Sequence, residues 1–193
     1  MVLWSGIIFA TVPFVGDAVV RLRRHVDLEV FTYAVTACVI LVSAAAVALL
    51  LRRGQPSVAQ YAWLAGTAGI VVYLTFDLKE GSPAEAVHFL EYGLLSLLLF
   101  NAFAHRIRDC GIYAAATIAG SIVGMIDETV QWLTPGRYFA VEDIRLNFTA
   151  VALVQVALAA GIKPRAISGW PDAAGLRRLC RLGALASAFL GIC

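Results

Sequence analysis

The sequence predicts an all-α bundle of membrane helices, and three observations carry the prediction. Of its 193 residues 61% are hydrophobic and only 15% charged; the mean hydropathy is +0.82; and most of the charges sit between long apolar runs instead of inside them. A water-soluble domain does not tolerate that composition. Hydrocarbon gives backbone amides no water to bond, so each run must close on itself as a helix of about 20 residues.

Five runs meet the length test: Glu29 to Leu51, Gln60 to Phe76, Ala84 to Ala104, Gly111 to Leu133 and Val141 to Ile162, each bounded by charge, Gly or Pro. Met1 to Val20 is a further apolar stretch, interrupted by Pro13 and Asp17 and without the basic start and small-residue cleavage site of a signal peptide. The last run, Leu179 to Cys193, is short and carries Arg181, which leaves an interfacial helix, a slanted span or a hydrophobic tail. The expectation is one membrane domain over residues 1–193, with five clear spans and up to seven membrane segments.

Cys38, Cys110, Cys180 and Cys193 have no metal-type spacing and read as small apolar fillers. A net charge of +2 with no basic stripe argues against nucleic acid as a partner and leaves membrane lipids. If the five spans alternate, Arg52, Arg53, Arg106, Arg108, Lys163 and Arg165 share one side, joined by Arg177, Arg178 and Arg181 if the tail does not cross. The positive-inside rule makes that side cytoplasmic, although Arg21, Arg23 and Arg24 vote the other way. Lys79, Arg137, Asp77, Glu80 and Glu85 then fall on the outer side.

Three polar blocks are expected at that outer end: Ala84 to Tyr92 opening the third span, Asp127 to Arg137 closing the fourth, and Glu142 to Asn147 opening the fifth. At 100° per residue, Glu85, His88 and Tyr92 share a stripe with Glu91 beside it; Asp127, Glu128 and Gln131 form a second; Asp143 and Asn147 form a third, from which Arg145 points away. A charge at the centre of a membrane helix costs about 2.5 to 3.5 kcal/mol on insertion scales, so these groups are expected to face one another or water. Carboxylates outnumber the available cations, which leaves room for a bound cation or protonated acids. The Thr134-Pro135-Gly136-Arg137 turn would swing an arginine fork over the cluster, suited to a phosphate or carboxylate.

Each residue also has a plainer reading. Glu85 and Glu91 can solvate a helix start, His88 can be a packed histidine, Asp143 can be an N-cap and Asn147 an interhelical hydrogen-bonding group. Asp127 and Glu128 resist such a reading, because acids at a helix C-terminus oppose its dipole.

The blocks HFLEY, DETVQWLTPGR and DIRLN resemble the VanZ-like family of small bacterial membrane proteins, whose pattern is histidine-x-x-x-tyrosine, aspartate-glutamate-x-x-glutamine, proline-x-arginine and aspartate-x-x-x-asparagine. The resemblance covers Ala84 to Ala160. It departs at Glu85, where relatives often carry lysine, and at Ala150, where they often carry glycine. The founding relative is linked to low-level resistance to the glycopeptide teicoplanin, so the resemblance implies a multi-pass protein of the bacterial inner membrane acting at the cell envelope, and it names no reaction.

Several functions fit these residues. One is an envelope-facing pocket, built by Glu85, Glu91, Tyr92, Gln131, Arg137, Asp143 and Asn147 around the acids, that binds a cation, a lipid head group or a lipid-linked cell-wall precursor. Another is an intramembrane hydrolase or transferase acting on a lipid-linked phosphate or sugar, with Glu128 or Asp127 as base, His88 as acid or ligand and Arg137 on developing negative charge. Mg²⁺ or Mn²⁺ would suit such an oxygen-rich site, with His88, Glu128 and Asp143 as candidate ligands. A third is a polar cluster that only fixes helix register. Transport fits least well, because the chain shows no internal repeat.

Overall fold

The run after Leu28 contains neither Pro nor Gly and folds as one 26-residue helix, α1 (Leu28–Arg53). Gly54, at φ +134°, ends it in a conformation that L side chains rarely adopt. The chain returns as α2 (Val58–Asp77), turns into α3 (Pro83–Ala104), which starts on a proline whose missing N–H costs a first turn nothing, and continues through α4 (Gly111–Trp132) and α5 (Val141–Val156). A π-helical segment, Ala157–Ile162, extends α5 and stops at Lys163, which sits in the left-handed region. The last helix is α6 (Ala173–Leu190), capped by the Asp172 carboxylate, which accepts from the Gly175 amide at 2.7 Å. The computed structural model describes residues 28–54, 56–77, 83–134 and 139–191, of which 28, 29, 31, 32, 77 and 83–88 are described by backbone alone. Met1 to Val20, Arg21, Arg23, Arg24, Lys79 and Arg137 lie outside the described residues.

The described residues form helices and no strands, the all-α membrane bundle expected. Tyr33–Arg53, Val58–Phe76 and Val141–Ile162 are long and apolar enough to cross a membrane, and Phe89–Ala104 is a shorter apolar helix. α3 and α4 bear polar blocks at one end, which shortens their apolar stretch.

α5 is the hub, packing on α3 and α4 and, through its π-helical extension, on α2. One core cluster joins Phe89, Tyr92, Leu95 and Leu99 of α3 to Ala116 of α4 and to Ala150 and Val151 of α5. Ala150 is thus packed in the core. A second cluster joins Phe100, Ile107, Ile112, Ala115 and Leu158, with Leu179 and Leu182 of α6 laid against it. Arg178 and Leu182 also border a cavity with Ala102, Phe103 and Arg106, so α6 packs beside the turn from α3 to α4 and Arg178 shares an end with Arg106.

Two devices hold α5 close. Gly120 and Gly124, four residues apart on α4, lie against it: a Cβ on Gly120 would stand 2.8 Å from a Val151 methyl, and one on Gly124 3.1 Å from Asn147 Cβ. This is the small-xxx-small spacing by which membrane helices approach closely. On the α3 side, Gln155 Nε2 donates to the Ser96 hydroxyl (2.8 Å) and carbonyl (3.0 Å), and the Ser96 hydroxyl donates to the Val151 carbonyl (3.0 Å). In hydrocarbon such bonds contribute about 0.6 to 2 kcal/mol each.

Candidate functional site

Asp127, Glu128 and Gln131 occupy the last turns of α4, and all three are buried, as the 100° periodicity requires of a stripe turned toward neighbouring helices. From α3 comes Tyr92, from α5 Asn147, both fully enclosed. The Tyr92 hydroxyl donates to Asp127 Oδ2 at 3.1 Å and Gln131 Nε2 donates to the same oxygen at 3.3 Å, so Asp127 is bonded across to α3 and along its own helix. Asn147 packs against Gly124 beside the Tyr92 ring, so closely that a Cβ on the glycine would stand 3.1 Å from Asn147 Cβ and 3.5 Å from the ring.

Glu128 is 0% exposed. Its Oε2 accepts from the Ala140 amide at 3.0 Å, a donor at the start of α5, and the carboxyl of Asp143 comes within hydrogen-bonding reach of it. Glu128 and Gly124 are one turn apart on α4, as are Asp143 and Asn147 on α5, so the two antiparallel helices meet as two stacked pairs. Among the described residues, Glu128 Oε1 and both amide atoms of Asn147 are buried without a hydrogen-bond partner. Two unit like charges about 4 Å apart at an effective dielectric near 20 repel by about 4 kcal/mol, and either one proton shared by the two carboxyls or a positive charge beside them removes that repulsion.

The remaining expected site residues fall out differently. Glu91 and Asp143 are half-buried, while Arg145 is exposed. Glu85 and His88 lie on the first turns of α3 with side chains outside the described residues, and Arg137 lies outside them altogether. Among the described residues no three His, Cys, Asp or Glu side chains come together to hold a metal ion; of the three candidate ligands, only Glu128 and Asp143 are seen to pair. Asp143 is not the N-cap of α5: that position belongs to Ala140, and Asp143 sits in the first turn, where a carboxylate suits the positive end of the helix dipole. Nor does Asn147 bond across helices, since both its amide atoms lack partners.

A family model, VanZ/LLP1, matches residues 1–160. The chain belongs to the VanZ/LLP1 family. The VanZ/LLP1 match runs from the N-terminus through α5 into the π-helical segment and leaves α6 outside it, so the likeness extends well before the polar blocks. No curated protein and no solved structure matches the chain. Two contributors to the site of this VanZ/LLP1 protein escape a reading of polar motifs: the Ala140 amide, invisible because every residue but proline has one, and Gly124, whose four-residue spacing from Gly120 was the available signal.

Proposed function

We propose that this VanZ/LLP1 chain is a multi-pass protein of the bacterial inner membrane whose acidic end faces the envelope and binds a cationic group. That group is a metal ion or the ammonium of a lipid head group or of a lipid-linked cell-wall precursor, and its capture alters the access of teicoplanin. The observation that carries the reading is the pair of enclosed groups without partners among the described residues, Glu128 Oε1 and the Asn147 amide, on facing helices and offset by one turn. Leaving such atoms unpaired costs about 1 to 3 kcal/mol each, which a bound guest recovers. Their chemistry suits a cation that also donates hydrogen bonds: Glu128 and the Asn147 carbonyl accept, and the Asn147 NH₂ orients whatever acceptor the guest carries. The outward orientation is supported by the basic residues gathered at the opposite end.

The test compares teicoplanin susceptibility in a bacterial host expressing the wild-type chain, Glu128→Gln or Asn147→Leu, with folded protein in the membrane measured alongside. Both variants are expected to abolish any resistance at undiminished protein levels. Full resistance in both variants would remove the pocket from the function.

A further inference from the structure

The opposite end of the molecule carries a second site, independent of the acidic one. Where α1 ends and the π-helical segment stops, a cavity of about 340 Å³ opens between Arg53, Gln60, Lys163 and Arg165, with Leu50 and Ile162 also in its lining. Among the described residues no carboxylate lines it.

The cavity is built by the fold. Gly54 at φ +134° and Lys163 at φ 47° turn the chain out of its helices on either side of it. Arg165 Nη2 donates to the Arg53 carbonyl at 3.0 Å, holding a guanidinium against the negative end of α1 with one of its five donors. Gln60 Nε2 donates to the Gly161 carbonyl at 2.9 Å, fastening α2 to the π-helical segment, and Gly161 itself is so close to Leu64 that a Cβ would stand 2.7 Å away. Contacts between residues about a hundred positions apart thus bring three cations around one space, against their mutual repulsion.

Its level identifies the guest. Among the described residues, the three helices long and apolar enough to cross a membrane have ends at Arg53, Val58 and Ile162, all beside this cavity. It therefore sits where hydrocarbon gives way to head groups. At about 30 Å³ per water its volume equals about eleven waters, room for a phosphate ester and its hydration. The guanidinium fork of Arg165 and the point charge of Lys163 are the chemistry that recognises phosphate oxygens, and basic clefts between membrane helices commonly take anionic head groups. We infer that this cavity binds a phosphate ester, with the head group of an anionic phospholipid as its source.

The full-length protein is purified in detergent, and bound lipid is counted by native mass spectrometry against phosphatidylglycerol, phosphatidylcholine, glycerol phosphate and inorganic phosphate. Wild type is expected to retain phosphatidylglycerol at least fivefold over phosphatidylcholine, and millimolar glycerol phosphate to displace it. Lys163→Gln/Arg165→Gln should bring the preference below twofold. Arg52→Gln/Arg108→Gln, which removes the same charge from exposed positions off the cavity, should leave it intact. If the first pair fails to fold, Lys163→Gln alone is expected to halve the preference. Equal loss in the Arg52/Arg108 pair, or no preference in wild type, overturns the site. Saturation by inorganic phosphate with no lipid preference overturns the lipid as its source.

Discussion

At the scale of single residues, Asn147 separates a binding pocket from a structural knot. If its amide served only the fold it would be bonded, yet among the described residues its two enclosed polar atoms have no partner. Asn147→Leu is therefore expected to leave the melting temperature in detergent unchanged or raised while abolishing ligand-dependent stabilisation; a marked fall in melting temperature would make the amide structural. Tyr92 behaves oppositely. Tyr92→Phe takes away a donor to Asp127 inside the bundle, and chemical denaturation should show a loss of about 1 to 3 kcal/mol. Which of these residues meet was legible in the sequence, because helical spacing aimed Tyr92, Asp127, Glu128 and Asn147 inward from three apolar runs. What each would bond to was not, because backbone donors such as the Ala140 amide leave no mark in the side-chain pattern.

At the scale of helices, the α4–α5 contact rests on two glycines with no room above them. Gly120→Ala would force a methyl against Val151, which is itself fully buried, and is expected to cost about 1 to 3 kcal/mol. Gly66→Ala on α2 meets nothing within 4 Å, and relief of the helix-weakening effect of glycine should stabilise by about 0.5 to 1 kcal/mol. Opposite shifts of the two melting temperatures check the pair. Each of the five expected runs is helical, with differences of only a few residues where polar ends continue the helix: α1 runs to Arg53 instead of Leu51, since arginine is a good helix former and its stem can lie along apolar surface. Similarly, α6 begins at Ala173, well before the apolar run at Leu179, because Asp172 caps it. The change of winding after Val156 had no signal, since ALAAGI is composed of residues that suit an ordinary α-helix apart from its glycine.

For the molecule as a whole, charge is sorted by height: buried acids at one end, a basic cavity at the other, and hydrocarbon-length helices between them. Alternating spans made that sorting legible from the sequence, while the cavity itself depended on where two helices stop, a detail apolar runs do not encode. Its alignment turns on the π-helical segment, in which the Lys163 amide reaches back five residues to Leu158. That winding accommodates one residue more than the same turn of α-helix. Inserting one alanine after Val156, ahead of that segment, should rotate everything beyond it by about 100°. Lys163 and Arg165 would then look away from the cleft although the protein's net charge stayed the same, and selective retention of phosphatidylglycerol should vanish. A head-group preference set by angular phase instead of charge count would be lost through one added alanine.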